Sequence, residues 1–264
     1  MRKIKSFLIC CLLVLFAGSA FSQDGKEPPY GIKYETKTIK RTLKGCDTTS
    51  SNCPEFDLTY VWMTEGKNKD LFNGYAKNVI LNDIFRMEDT KYNTIEEMAD
   101  GFIDEFVKFQ KEYPDVPPVG WYLDASYQNL NELSQVVSFE LGYEMFTGGA
   151  HPVHYLTYYN YDYNTGKPVQ LKDIFVPGFE KKLNQLVDKA FRKENDLGPN
   201  QPLTDADMFE DHIEYNDNFL LTPQGIYFFY NIYEIKPYAA GTTELLVPYS
   251  DLIDLIDENG LGIY

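Results

Sequence analysis

Apolar positions along this chain recur with two different periods, and the change of period marks out its elements. From Tyr30 to Leu43 the alternation is two-residue: Ile32, Tyr34, Thr36 and Thr38 fall on one side, and Lys33, Glu35 and Lys37 on the other. That spacing predicts a half-buried strand. Leu58, Tyr60 and Trp62 alternate with Thr59, Val61 and Met63, which predicts a strand covered on both faces. The segment Ala76 to Phe85 fits a third strand or an irregular helix equally well. From Ile95 the period lengthens. Ile95, Met98, Phe102, Phe106 and Phe109 form one apolar stripe, with Thr94 and Glu97 spaced as a capping box ahead of it and Pro114, Pro117 and Pro118 beyond its end. A helix over Thr94 to Tyr113 follows.

Two more strands are expected around Trp121 to Leu130 and Gln135 to Phe146, joined by a turn over Asn129 to Ser134. In the second, Phe139, Leu141, Tyr143 and Met145 face one way, and Ser138, Glu140, Gly142 and Glu144 the other. His154 to Tyr163 reads as a further strand with four tyrosines on one face. Phe179, Leu183, Leu186, Val187, Ala190 and Phe191 form a second helical stripe, and Asp205 to Phe209 a short helix. Thr222-Pro223-Gln224-Gly225 is a hairpin turn between Phe219–Leu221 and Ile226–Ile232. Glu244 to Val247 is a last strand, and Ser250 to Ile256 a closing helix. Strands in antiparallel groups with one helix in each half describe an α+β protein: two modules, each an antiparallel β-sheet packed with an amphipathic helix.

The N-terminus changes the cellular setting. Arg2, Lys3 and Lys5 precede an apolar run from Phe7 to Phe16, and Ala20 and Ser22 suit a cleavage site before Gln23. Residues 1–22 are therefore read as a signal peptide, with no stable membrane span after its removal and a periplasmic or extracellular destination. Cys10 and Cys11 lie within the apolar run without a small-residue lipobox before them. Residues 23–29 read as a short polar linker. Cleavage removes three bases and no acids, so the formal charge moves from -16 to -19, with 21 Lys and Arg against 40 Asp and Glu. Such a body repels phosphate backbones, which argues against nucleic acid as a partner; its acidity suits a basic protein or a divalent cation, or simply keeps an exported protein soluble. Cys46 and Cys53, six polar or small residues apart in GCDTTSSNC, are expected to close a loop as a disulfide in an oxidising compartment.

Candidate chemistry is sparse. There is no Gly-x-Ser-x-Gly elbow, His-Glu-x-x-His helix, Walker loop or Gly-x-Gly-x-x-Gly turn in the sequence. The one concentrated feature is the corner Gly148-Gly149-Ala150-His151-Pro152-Val153-His154. His151 and His154 would share one face of a helix and could grip zinc there. Pro152 disfavours that backbone, and an extended chain turns them to opposite faces. Gly148, Gly149, His151 and His154 are therefore read as binding residues, with no metal and no cofactor. The run Asp205, Asp207, Glu210, Asp211, Glu214 and Asp217 lacks the internal glycine of a calcium loop and reads as a solvated acidic surface.

Three ordered segments carry a family resemblance: Tyr143 to His151; Asn160-Tyr161-Asp162 through Asn164-Thr165-Gly166-Lys167 to Leu171-Lys172-Asp173-Ile174-Phe175; and Phe219 to Phe228, continuing to Ile235-Lys236-Pro237-Tyr238-Ala239-Ala240-Gly241 and Val247-Pro248-Tyr249-Ser250. Together they resemble the extracytoplasmic region of lysozyme-sensing anti-sigma factors (the RsiV type) and the modules that precede the catalytic domain in peptidoglycan deacetylases of the PdaC type. The resemblance implies an N-terminal module over residues 30–152 and a C-terminal module over 153–264. It also implies a non-catalytic role, because in the deacetylases the chemistry belongs to a separate domain. The expected function is a secreted or periplasmic binding protein that recognises an envelope-associated ligand, either a basic protein such as lysozyme or a peptidoglycan fragment. A metal-dependent hydrolase using His151 and His154, and a structural envelope component, are the alternatives.

Overall fold

The computed structural model describes residues 31–46, 52–84, 91–133, 135–258 and 261, with the side chains of 128–132 left aside. Residues 1–22, expected to be a signal peptide, and 23–29, expected to be a linker, lie outside the described residues.

A six-stranded sheet is built from β1 (Lys33–Thr42), β2 (Glu55–Glu65), β3 (Tyr122–Leu133), β4 (Val136–Phe146), β5 (Val153–Asp162) and β6 (Lys167–Pro168), side by side in chain order. A second sheet holds β7 (Phe219–Leu221), β8 (Gly225–Tyr230) and β9 (Thr243–Pro248), again in chain order. The helices are α1 (Lys69–Asp83), α2 (Ile95–Glu112), α3 (Glu180–Glu194) and the single turn α4 (Tyr249–Leu252). The protein is thus α+β, with two sheet-based halves. All ladders are antiparallel except β2 with β3, which run parallel because α1 and α2 carry the chain from one to the other. Strand β5, whose residues the 152/153 boundary assigns to the second module, pairs along its length with β4 in the larger sheet. Among the described residues no helix is long and apolar enough to cross a membrane.

Local chemistry accounts for the elements. The ambiguous segment at 76–85 lies mostly within α1, which buries Phe72, Ala76, Val79 and Ile80. Its Asn73 donates to Met63 O at 2.8 Å and accepts from Met63 N at 2.9 Å, tying the helix to β2. Thr94 caps α2 by accepting from Glu97 N at 3.1 Å. The reciprocal carboxylate bond falls one residue earlier than a capping box requires, on Asn93 N at 2.8 Å. The alternation of β1 differs from expectation past Tyr34: Ile39 enters the core opposite Leu58, while Thr36 and Thr38 are exposed. The turn between β3 and β4 is tighter than 129–134, since both strands extend into it and pair as far as Leu133 with Val136. The short helix at 205–209 is a 3-10 turn over Leu203–Ala206. Cys46 and Cys53 are joined by a disulfide.

Two cores result. Helices α1 and α2 cover one face of the large sheet and enclose Phe56, Leu58, Phe72, Phe102, Leu123, Phe139, Leu141 and Tyr161. Helix α3 covers the small sheet with Leu183, Val187 and Phe191 against Phe228, Leu245 and Val247. The small sheet packs against β5 on the helix-free side, where Tyr158, Leu220 and Phe229 form a minor apolar contact.

The joint between the halves is largely asparagine. Among the described residues, the outer edge of β5 has no partner strand outside its short pairing with β6, and side-chain amides replace one. Asn231 accepts from Leu156 N at 2.9 Å and donates to Leu156 O at 3.0 Å. Asn218 accepts from Tyr158 N at 2.8 Å and also donates to Leu156 O at 2.9 Å. Buried Asn160 donates to Phe219 O at 2.8 Å and accepts from Ser138 Oγ at 2.6 Å and Leu221 N at 3.2 Å. A primary amide presents one acceptor and two donors, so it can mimic the peptide group of an absent strand. The same bonds remove the exposed edge that would otherwise invite a foreign strand.

Candidate binding site at the glycine corner

The face of the large sheet opposite the helices is polar, and the ladder register lines up one row across it. Lys40 lies opposite Asp57, Asp57 opposite Asp124, Asp124 opposite Glu144, and Glu144 opposite His154. A cation stands at one end, three carboxylates fill the middle, and an imidazole closes the other end. Lys40 Nζ donates to Asp57. His154 Nδ1 lies 3.3 Å from Glu144 Oε2. Asp124 has carboxylates on both sides, and burial together with the negative charges of Asp57 and Glu144 raises its pKa, with Lys40 opposing.

At the histidine end the chain turns through Gly148 (φ +94°) and Gly149 (φ +119°). Both angles lie where an L side chain is strained, which is why glycine occupies the corner. Aromatic rings collect around it from both halves of the molecule. On the large sheet, Tyr122 and Phe146 stack with centroids 6.0 Å apart, and the Tyr122 hydroxyl donates to Glu144 Oε1. Burial and that bond push the Tyr122 pKa up to about 12, so the phenol stays a donor at neutral pH. From the loop after β8 come Tyr238, whose ring lies 4.2 Å from that of His151, and Tyr233, 5.6 Å from Tyr238. Tyr233 is 56% exposed. The His151 Nδ1–H donates to Pro152 O at 3.0 Å. Lys236 anchors this loop: it is buried, and its Nζ stands 4.9 Å over the Phe191 ring of α3.

The structure therefore brings Gly148, Gly149, His151 and His154 to one corner but gives the two histidines different partners. His151 turns to Tyr238 of the second half, and His154 turns to Glu144 of the sheet. His212 pairs with Glu210 at 3.2 Å. Among the described residues, no group of three or more His, Cys, Asp or Glu is placed to hold a metal. Within the acidic run at 205–217, Asp211 accepts from Thr204 N at 3.1 Å and Thr204 Oγ1 at 2.9 Å, and these bonds lower its pKa.

Sequence reading missed Tyr122, Glu144 and Tyr233 as site residues. Tyr122 and Glu144 read as ordinary alternating strand positions. Glu144, inside Tyr143–His151, and Tyr238, inside Ile235–Gly241, lay in stretches already conspicuous.

Comparison with known proteins gives the following likenesses. Residues 172–250 match the family described as "Protein of unknown function (DUF3298)". A crystal structure of a DUF3298 family member from Bacteroides fragilis is similar over 87% of this chain and 95% of its own, with a TM-score of 0.74 at 20% identity. A DUF3298 family protein from Pseudomonas aeruginosa is similar over 86% of this chain and 95% of its own, with a TM-score of 0.64 at 21% identity. No curated protein matches. At such identities the likeness is one of fold: the chain carries a DUF3298-like segment within an architecture that it shares, over most of its length, with these two proteins.

Proposed function

We propose that this protein is an exported, non-catalytic binding protein that recognises an envelope-associated ligand at the glycine corner. The observation that carries the reading is the convergence there of Tyr122, Glu144 and His154, bonded in series, with rings supplied by both halves of the molecule. Such a site presents flat ring faces and fixed polar groups on rigid strands, which is what recognition without chemistry requires. Each histidine has its own partner, so the two are not arranged as a nucleophile–base pair or a shared ligand set. Export is supported by the basic-then-apolar N-terminus and by the Cys46–Cys53 disulfide.

The ordered motifs that resemble RsiV-type sensor regions and PdaC-type modules support the same class of role and point to two ligands, a lysozyme-like basic protein and a peptidoglycan fragment. The strongly acidic balance suits the first, and the ring cluster suits the second. Calorimetric titration of the processed protein with lysozyme and with soluble muropeptides tests the reading. Saturable heat with one of them is expected, and no binding to either defeats it.

A further inference from the structure

Resting on that binding role, we propose that the glycine corner is a glycan site in which a pyranose ring packs on Tyr122 and the Tyr238–His151 pair while its hydroxyls donate to Glu144. The argument lies in what the corner leaves available to a ligand. Both Glu144 oxygens are already held, Oε1 by the Tyr122 hydroxyl and Oε2 by the His154 imidazole. Their role is to fix the rings in place. An incoming group meets ring faces and the spare acceptor lone pairs of Glu144. An anion would face the row Asp57, Asp124 and Glu144.

A pyranose has the complementary chemistry. One face carries C–H groups that pack on an aromatic ring, and its edge carries hydroxyl donors. The rings have the geometry for it. Tyr122 is half-buried, stacked on Phe146 and bonded to Glu144. The exposed His151 ring lies against Tyr238 at a 31° interplanar angle, a shallow step between the two halves. Tyr233 extends the ring surface toward solvent. The flanking strand positions Ser126 and Gly142, opposite each other on the same face, are small, and a Cβ at Gly142 would meet only Tyr155 O at 3.9 Å. Binding at one rigid aromatic corner, without a deep cleft, suits a repeating polymer.

The probe is chitotetraose, a neutral oligomer of N-acetylglucosamine, titrated into the processed protein by calorimetry, with saturation-transfer NMR to locate the contact. Saturable binding is expected, with transfer to the sugar ring protons. Tyr122→Ala and Tyr238→Ala, one in each half, should each weaken it by about tenfold, as loss of a central aromatic contact does. Tyr122→Phe keeps the ring and should stay within about threefold. Thermal unfolding of each variant separates loss of the site from loss of the fold. Absence of saturable binding, or binding that neither alanine variant weakens, overturns the proposal. Binding to lysozyme without binding to chitotetraose rejects the glycan assignment and leaves the broader reading standing. Binding to none of chitotetraose, lysozyme and soluble muropeptides rejects both.

Discussion

Asp124 is the residue where the polar face is least favourable to the fold. Like charges opposite one another across strands destabilise a sheet, and Asp124 has one on each side. Its pKa is raised in the folded protein, so the native state holds the proton more tightly than the unfolded chain does. Stability is therefore lost as pH rises from the unfolded aspartate value of about 4 through the raised one. Asp124→Asn should raise the urea midpoint at neutral pH by less than about 1 kcal/mol equivalent, because the group is solvent-exposed. The gain should vanish below pH ~4, where the wild-type carboxyl is itself neutral. Urea titrations of both proteins across that range test this, and a variant less stable than wild type at neutral pH would contradict it. A sheet that keeps such a residue forgoes some stability, as binding surfaces commonly do.

At the scale of elements, the joint depends on asparagines rather than on strand pairing. Asn160 is buried and serves Ser138 Oγ, Phe219 O and Leu221 N together. Replacing it by leucine keeps the approximate volume and leaves three buried partners without their bond. A cost of about 3 kcal/mol follows, measurable by chemical denaturation, and a loss below about 1 kcal/mol would mean that water or relaxation restores the network. Helix α2 needed no such tertiary support to be legible. Its cap residue and apolar stripe are written in Thr94 and the positions from Ile95 onward, because a helix satisfies its backbone locally. The segment from Ala76 was ambiguous because it holds only the second half of α1, whose buried stripe of Phe72, Ala76, Val79 and Ile80 begins before it, and the helix leans on β2 through Asn73. Helix and strand therefore fitted its sequence equally well.

Considered whole, the molecule behaves as two halves that share material. Val136, the first residue of β4, belongs to the core under α3, while Val137, Phe139 and Leu141 serve the core under α1 and α2. Strand β5 pairs within one sheet and packs on the other. The core under α3 takes in Val136 of the large sheet, and β5 packs on both sheets, so calorimetry should record a single unfolding transition. Two resolved transitions would show that the halves unfold separately.

The α+β class, most strands, the two amphipathic helices, the corner glycines and the disulfide pairing were determined by sequence alone. Each depends on near neighbours: a period of two or of 3.6, a cap, a turn that demands positive φ, or two cysteines a short loop apart. The parallel β2–β3 pairing, the reversed face of β1 beyond Tyr34, and the meeting of Tyr122, Glu144, His154 and Tyr238 were decided only by tertiary structure. Those arrangements join residues that are distant along the chain, and sequence periodicity records which face a side chain takes but not which strand will lie beside it.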